Sequence, residues 1–353
     1  MVAADNREER ALESYLVCDW LRQEAQDIWS IGFTALDDKV GKYIRLGHFI
    51  LIDFPDLQGR PGRRCYSICG VGPANGFQVS VRRSGKGGVS DSLVDRMRPG
   101  CVLALAGVGG DINVDRVVHM NSLLMLASGI GVTLPIALLR GLLQRRQRGE
   151  AVPKVHFVAV IQDLQRLPFL HELLSLHLES DWFELSVHLT RQRILPRVQC
   201  FAPGRPAPAA VFGTQEWQGV VICGGYSFAQ CHEEYARQHL PGSEVFVEAF
   251  TRVNPEGAET KATVQVKARI DGVVLNIDPG KSLLEGLEEQ GVSIPNQCRA
   301  GICGRCRIKV RSGEYRTRDD FAISAKDRAQ GHVLACCTYP LGDEISVERP
   351  GAQ

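Results

Sequence analysis

The sequence predicts a multidomain protein made of an antiparallel β-barrel, an α/β domain with a parallel sheet, and a small α+β domain. Its length of 353 residues exceeds what one ordinary hydrophobic core accommodates. The hydrophobic pattern also changes twice along the chain, near residue 118 and again after a polar stretch at 251–261. We therefore expect the barrel at 12–115, the α/β domain at 116–251, a linker at 252–261 and the last domain at 262–353.

Each region has the periodicity of its predicted fold. In the first region, apolar and polar residues alternate, as at Phe77, Val79 and Val81, and glycine and proline separate the runs at regular spacing. From about Val118, buried strands alternate with helices, which favours a parallel sheet that binds ligands at the carboxyl ends of its strands. After the linker, two strands precede a helix and further strands follow it.

The composition is that of a globular protein without extreme bias, 44% hydrophobic and 23% charged. A net charge of +1 gives no reason to expect a nucleic acid or a membrane surface as partner. No apolar run reaches the roughly 18 residues of a membrane-spanning helix, and the charged N-terminal residues do not have the pattern of a secretory signal. We expect the twelve cysteines to lie in the reducing cytoplasm.

Cysteines near the C-terminus have the spacing of an iron–sulfur site. Cys298, Cys303 and Cys306 follow the pattern C-x4-C-x2-C, and the pair Cys336 and Cys337 comes some thirty residues later. This is the ligand arrangement of plant-type [2Fe–2S] clusters, in which small residues let the loop wrap the sulfides. A zinc site is the alternative, but zinc sites usually combine two C-x2-C pairs or include histidines, and only one such pair occurs here.

The surrounding letters, NQCRAGICGRC and VLACCTYP, resemble the plant-type ferredoxin domain family. In that family the last ligand precedes a Tyr-Pro pair by three residues. The resemblance therefore implies that Cys298, Cys303, Cys306 and Cys336 bind the metal and that Cys337 is a buried thiol. It also implies a ferredoxin β-grasp fold for the last domain.

A short motif in the barrel region, Arg64-Cys65-Tyr66-Ser67, has the form R-x-Y-S. It resembles the flavin-binding signature of the ferredoxin-NADP reductase superfamily. The resemblance implies that Tyr66 packs on the flat isoalloxazine ring, that Ser67 hydrogen-bonds the flavin near N5, and that the Arg64 guanidinium neutralises a phosphate. The alternative is a barrel strand that ends in a polar turn.

A glycine-containing stretch before a predicted helix indicates a phosphate site in the same region. Gly87 and Gly88 leave backbone N–H groups free to hold phosphate oxygens, and Ser90 adds a hydroxyl or caps the helix. The form G-x-x-S-x-x-L resembles superfamily members that bind FAD. FMN remains the alternative, because a subgroup that binds FMN has glycine-glycine-serine without a residue such as Val89 between them.

The turn after the first strand of the α/β region resembles a nicotinamide-binding element of the same superfamily. Gly129, Gly131 and Thr133 fit its G-x-G-x-T-P pattern, although Leu134 here separates the threonine from Pro135. The resemblance implies that the two glycines let the backbone approach the dinucleotide and that the threonine contacts it.

Two more elements of that superfamily occur later in the chain. The run CGGYSF, from Cys223 to Phe228, is similar to C-G-P-x-x-F, with glycine in place of proline. Glu248 and Phe250 match the E-x-F element that lies near the flavin in relatives. The resemblance implies that Cys223 lies beside the reactive carbon of the nicotinamide, whereas a small core residue is the structural alternative.

The residues that would distinguish the two dinucleotides follow the strand VHFVAVIQD. Asp163 is placed to accept from ribose hydroxyls, which favours NADH. Arg166 is placed to meet a 2′-phosphate instead, which favours NADPH. Both cosubstrates therefore remain open at this point.

The motifs together resemble the oxygenase reductases that carry their iron–sulfur domain at the C-terminus. The resemblance implies an NAD(P)H-dependent oxidoreductase in which Cys223, Ser67 and Glu248 serve hydride transfer to flavin, and single electrons leave through the cluster. The acceptor would be a terminal oxygenase of the Rieske non-haem iron or di-iron class. A reductase for another acceptor and a non-catalytic redox sensor are the alternatives. Basic residues such as Arg305 and Arg307 favour an acidic docking patch on the acceptor.

Overall fold

The computed structural model describes residues 14–110, 112–195, 199–249, 265–278, 280–296, 301, 304–317, 323 and 325–349. The chain divides into two compact units, residues 1–224 with 231–246 and residues 225–230 with 247–353. Within the described ranges, every helix is too short or too polar to cross a bilayer.

Six antiparallel strands close into a barrel, which confirms the predicted architecture. They are β1 (Ser14–Ala25), β2 (Ile28–Ala35), β3 (Phe49–Asp53), β4 (Arg63–Val71), β5 (Gly76–Arg82) and β6 (Val102–Gly109), in the order β1-β2-β5-β4-β3-β6. Pairing of β1 with β6 closes the barrel and removes the open edges. Phe77, Val79 and Val81 alternate along β5 and belong to the core, together with Phe33 and Ile68.

Short helices accompany the barrel. They are α1 (Asp38–Gly41), α2 (Val89–Arg96) and α3 (Val114–Val117). Helix α2 connects β5 to β6 and buries Leu93 and Val94 in the barrel core. It begins directly after Gly87 and Gly88, so the order of strand, glycines and helix expected from the sequence is present.

The α/β region forms a six-stranded sheet. Its strands are β7 (Ser122–Ser128), β8 (Lys154–Ile161), β9 (Phe183–Leu189), β10 (Phe201–Pro203), β11 (Gly219–Gly224) and β12 (Glu244–Ala249), in the order β10-β9-β8-β7-β11-β12. Strands β7 to β11 are joined by parallel pairing, as predicted. The chain order reverses between β7 and β11, and open parallel sheets bind ligands at such a switch point.

Helices connect the strands of this sheet. They are α4 (Thr133–Gln147), α5 (Leu170–Glu179), α6 (Pro208–Phe212) and α7 (Tyr226–His239). Single 3-10 turns, Gly129–Val132 and Leu164–Arg166, follow β7 and β8 at their carboxyl ends. The α4 helix buries most of its first nine residues, so its start is fixed against the sheet.

The C-terminal region has a five-stranded sheet of order β14-β13-β19-β15-β17 and a two-stranded sheet of β16 and β18. Its elements are β13 (Val266–Ile270), β14 (Val273–Ile277), α8 (Leu283–Glu289), β15 (Arg307–Ser312), β16 (Tyr315–Thr317), α9 (Ala325–Ala329), β17 (His332–Leu334), β18 (Thr338–Pro340) and β19 (Glu344–Glu348). Ser282 and Glu285 form a capping box on α8. The α+β architecture is confirmed, whereas the predicted linker lies outside the described residues.

Candidate functional site

The motif residues Arg64, Tyr66 and Ser67 lie on β4, which pairs with β3 in the barrel wall. The Arg64 side chain is exposed, and its Nη1 donates to the carbonyl oxygen of Arg63 at 2.8 Å. Tyr66 and Ser67 are buried, and Tyr66 belongs to the barrel core. An exposed guanidinium therefore lies two and three residues before two covered hydroxyls on the same strand.

The Tyr66 hydroxyl connects β4 to the start of α2. Its oxygen lies 3.0 Å from the Ser90 hydroxyl oxygen. Burial raises the pKa of Tyr66 to about 12, although the Ser90 hydrogen bond and the Arg64 charge oppose the shift. Tyr66 is therefore protonated at neutral pH, and the structure brings it together with Ser90 of the glycine-containing motif.

The loop before α2 is organised by a buried carboxylate that the sequence motifs did not indicate. Asp91 accepts hydrogen bonds from the amides of Ser84 at 2.5 Å, Gly87 at 2.7 Å and Gly85 at 3.2 Å. Burial acts to raise the pKa of Asp91, but these hydrogen bonds outweigh it and hold the pKa below its usual value. The Gly87 amide, expected to face a phosphate, donates to Asp91 instead.

The amides that remain for an anion are those at the start of α2. The first four N–H groups of a helix have no intrahelical acceptor, and α2 begins at Val89. A Cβ atom added to Gly88 would meet no heavy atom within 4 Å, so the backbone there is open to a close approach. Gly87 has φ +75°, which favours glycine. This end of α2 has the chemistry of a phosphate site.

The nicotinamide motifs meet at the switch point of the parallel sheet. Gly131 lies in the turn after β7, and Cys223 lies near the end of β11, opposite Ala127 of β7. A Cβ atom on Gly131 would lie 2.2 Å from the carbonyl oxygen of Cys223 and 2.9 Å from Gly224 Cα. The two motifs therefore touch through their backbones, and only glycine fits at position 131.

Four predicted site residues in the α/β region have buried side chains. Thr133 is buried, and its hydroxyl donates to the carbonyl oxygen of Ile130 at 3.2 Å, within its own turn. Cys223, Phe228 and Glu248 are buried. Phe250 lies outside the described residues.

Asp163 and Arg166 form an ion pair in the turn after β8, with 3.2 Å between Arg166 Nε and Asp163 Oδ2. Arg166 Nη1 also donates to Oδ2 of Asp27 at 2.9 Å. Asp27 lies in the barrel, between β1 and β2, and 139 residues separate it from Arg166. No sequence motif pointed to Asp27, because a single turn aspartate carries no pattern of its own.

Arg140 of α4 joins the flavin-motif strand to the nucleotide-binding helices. Its Nη1 donates to the carbonyl oxygen of Cys69 at 2.7 Å, and its Nε and Nη2 donate to both carboxylate oxygens of Glu172 on α5. The β4–β5 register shifts between Ile68 and Gly70, which leaves the Cys69 carbonyl available to Arg140. No sequence motif pointed to Arg140, since its acceptors are 71 and 32 positions away in the chain.

Two of the four predicted cluster ligands are described, and they are close together. The sulfur atoms of Cys306 and Cys336 are 3.2 Å apart, although thirty positions separate them in the chain. Cys337 Sγ lies 3.6 Å from Cys336 Sγ, and all three thiols are buried. Cys298 and Cys303 lie outside the described residues. Two converging thiols under a covering core fit a site built for iron or another thiophilic metal.

Two protein-family models match the chain. Residues 267–341 match the 2Fe-2S iron-sulfur cluster binding domain, and residues 120–198 match the ferric reductase NAD binding domain. The glycine betaine monooxygenase reductase subunit of Pseudomonas aeruginosa strain UCBPP-PA14 is 24% identical over 353 residues, with 93% of each chain covered.

Solved structures share the fold. The structure of phthalate dioxygenase reductase, described as modular for electron transfer from pyridine nucleotides to [2Fe-2S], has a TM-score of 0.62 and 22% identity, with 95% of this chain and 97% of that chain covered. An intact type IV self-sufficient cytochrome P450 monooxygenase has a TM-score of 0.66 and 20% identity over 95% of this chain. This chain spans 41% of the length of that monooxygenase.

The barrel, the sheet that matches an NAD-binding domain and the region that matches a 2Fe–2S domain are together similar to the iron–sulfur reductase class of oxidoreductases. The resemblance to the oxygenase reductase components of the ferredoxin-NADP reductase superfamily is confirmed. The predictions of a [2Fe–2S] domain and of an NAD-binding domain are confirmed with it, and the fold supports the flavin expected in the barrel.

Proposed function

We propose that this chain takes hydride from a nicotinamide dinucleotide and delivers single electrons to a terminal oxygenase through flavin and a [2Fe–2S] cluster. The observation that carries the proposal is the approach of the Cys306 and Cys336 sulfurs to 3.2 Å, within the residues that match a 2Fe–2S domain. Cysteines at this distance can bind one iron atom together. Cys298 and Cys303 would complete the ligand set.

The barrel residues would hold and orient the flavin. Arg64 and the first amides of α2 offer positive charge and N–H donors to its phosphate. Tyr66 and Ser90 hold the motif strand against that helix, and Ser67 supplies a hydroxyl beside the ring. When bound, a flavin links two-electron hydride transfer to one-electron transfer. FAD is the form proposed, with FMN as the alternative.

The residues of the parallel sheet that bind the dinucleotide would place its nicotinamide against β4, the strand that carries the flavin motif. The backbone contact between Gly131 and Cys223 fixes the floor of the site at the sheet's switch point. Arg140 holds α4, which begins at this site, to β4, which carries Ser67. Hydride transfer depends steeply on the separation of the reacting atoms, so this connection serves catalysis by positioning. Cys223, Ser67 and Glu248 are the proposed catalytic residues.

The acceptor follows from the relatives rather than from the fold alone. The relative from Pseudomonas aeruginosa is named a monooxygenase reductase subunit, which supports an oxygenase of the Rieske non-haem iron or di-iron class as partner here. Docking through basic residues receives limited support, because Arg307 pairs with Asp327 at 3.5 Å and Arg311 pairs with Glu348. A reductase for another acceptor remains the second candidate. We place the protein in the cytoplasm, where thiolates stay available for iron.

The experiment is an absorbance spectrum of the purified protein, with cofactor extraction, iron and sulfide analysis, and NADH-dependent reduction of cytochrome c. We expect one flavin, about two irons and two sulfides per chain, and reduction that stops when the cluster is absent. Zinc in place of iron and sulfide, or a spectrum without flavin, would contradict the proposal. Iron and flavin without any reduction by NADH or NADPH would favour a redox sensor.

A further inference from the structure

Two arginines at the nucleotide-binding edge share one carboxylate from the barrel. Asp27 Oδ2 accepts from Arg166 Nη1 at 2.9 Å and from Arg82 Nε at 2.8 Å. Arg166 follows β8, and Arg82 Nη1 lies 3.8 Å from the position of a Cβ atom on Gly129, in the turn after β7. Both guanidinium groups therefore lie at the carboxyl ends of the strands, where the dinucleotide would bind.

The Arg166 guanidinium is held from two sides. Asp27 binds it from the barrel, and Asp163 binds it from its own turn, at 3.2 Å. Asp163 Oδ1 is covered and has no hydrogen-bonding partner among the described residues, so this carboxylate has capacity for one further donor. The charges around this turn are two cations, Arg166 and Arg82, and two anions, Asp27 and Asp163.

The Asp27 carboxylate is fixed by its backbone. The Gln26 amide donates to the carbonyl oxygen of Gln165 at 2.8 Å, which ties this barrel turn to the turn that carries Arg166. The Arg83 amide donates to the carbonyl oxygen of Asp27, also at 2.8 Å. The Asp27 side chain is 17% exposed, so the ion pairs it makes are only partly screened by solvent.

These charges discriminate between the two dinucleotides. A 2′-phosphate carries close to two negative charges and needs an arginine whose donors are available. Here Asp27 engages Arg166 and Arg82, and Asp163 adds a second anion that repels the phosphate. A ribose 2′-hydroxyl has no such charge and suits a carboxylate with an unused acceptor.

We propose that Asp27, on the barrel rather than on the nucleotide-binding sheet, is a specificity-determining residue that makes the enzyme prefer NADH to NADPH. It acts by neutralising Arg166 and Arg82 from the barrel turn between β1 and β2. The inference rests on the proposed nicotinamide-dependent function and adds to it the choice of cosubstrate.

The test uses the full-length holoprotein and two readouts. The first is the ratio of dissociation constants for 5′-AMP and 2′,5′-ADP, measured by calorimetry, and the second is the ratio of kcat/KM for NADH and NADPH. We expect Asp27→Asn to shift both ratios toward the 2′-phosphorylated ligand by on the order of tenfold, or about 1.4 kcal/mol. Asp27→Ser should do the same, and the flavin absorbance reports whether each variant is folded.

Two further variants separate charge release from loosening of the turn. Adding Arg166→Gln to Asp27→Asn should abolish the gain in 2′,5′-ADP binding, since the released guanidinium is gone. Asp115→Asn is the matched control, because Arg145 is likewise shared between two carboxylates, Asp115 and Glu150, at the opposite end of α4. It should leave both ratios unchanged.

The outcomes distinguish this inference from the proposed function. Unchanged ratios in folded Asp27→Asn and Asp27→Ser, or a gain that persists without Arg166, would overturn the role of Asp27 while the reductase function stands. A wild-type protein that prefers NADPH would also overturn it. If the protein binds neither 5′-AMP nor 2′,5′-ADP and reacts with neither NADH nor NADPH, the proposed function and this inference are both overturned.

Discussion

The Gly131 backbone lies against the carbonyl of Cys223, so closely that an added Cβ atom would be 2.2 Å from the oxygen. This contact joins two motifs that are far apart in the chain, and it occurs where the order of the parallel strands reverses. The obstructing atoms belong to backbone, which cannot swing aside as a side chain can.

Gly131→Ala should therefore displace the turn after β7 or the end of β11. Overpacking of this kind costs about 1 to 3 kcal/mol. We expect weaker binding of NADH, measured as a raised dissociation constant. Gly242→Ala is the control, since a Cβ atom there meets no heavy atom within 4 Å. Equal affinities in the two variants would show that the contact has no role in binding.

Arg140→Gln should slow hydride transfer more than it weakens NADH binding. The side chain holds the Cys69 carbonyl and the Glu172 carboxylate together, and its loss releases α4 from the motif strand. We expect kcat to fall by on the order of tenfold, with a smaller change in KM and a larger deuterium isotope effect with 4-deuterated NADH. Arg140→Lys should recover part of the rate.

The control for Arg140 lies on the same helix. Arg146 makes a long ion pair with Asp181, at 3.4 Å, and both side chains are largely exposed. Such pairs contribute little. Arg146→Gln should leave the isotope effect unchanged. If kcat falls by a similar factor in Arg140→Gln and Arg146→Gln, the cause is a general destabilisation of α4.

Asp91→Asn should release flavin from the protein at neutral pH. The carboxylate accepts hydrogen bonds from three backbone amides of one loop. Weakening these bonds should lower the free energy of unfolding by about 2 kcal/mol. Flavin fluorescence on mild denaturation measures the release. Asp95→Asn, on the same helix, removes an exposed ion pair with Arg83 and should release none.

The pH dependence of the same variant has a definite sign. Because the folded pKa of Asp91 is depressed, its contribution is fully present above the unfolded pKa of about 3.9 and is lost as pH falls through the folded pKa. The difference between wild type and Asp91→Asn should therefore be constant from pH 7 to pH 5 and shrink below about pH 4. If the difference between wild type and Asp91→Asn already shrinks near pH 7, a titratable group other than Asp91 is responsible for the pH dependence.

Cys336→Ser should abolish the [2Fe–2S] spectrum, whereas Cys337→Ser should retain it. The Cys336 sulfur lies beside Cys306, and Cys337 contacts Cys336 from the other side. Iron and sulfide analysis with the visible absorbance spectrum distinguishes the two variants. The reverse outcome would move the fourth ligand by one residue.

Local pattern predicted much of this molecule. The alternation at Phe77, Val79 and Val81 is a property of neighbouring residues, and it was sufficient to indicate a barrel strand. The position of the strand breaks depends on contacts beyond the local pattern. Gly313, at φ +106° and against the Glu344 carbonyl, separates β15 from β16.

The contacts that position the site could not be predicted in the same way. Asp27 and Arg166 are 139 residues apart, and Arg140 and Cys69 are 71 apart, so no window of sequence contains both partners. The Gly87 amide shows the same limit. Its motif suggested a phosphate ligand, whereas a carboxylate four positions later occupies the donor.

The closeness of the Cys306 and Cys336 sulfurs also has a practical consequence for anyone who handles the protein. When two thiols 3.2 Å apart lose their iron in air, dioxygen can oxidise them to a disulfide. Protein that has lost its metal should then bind no iron until a dithiol such as dithiothreitol has reduced the disulfide. Reconstitution should therefore begin with the reductant under argon, and iron and sulfide should be added afterwards.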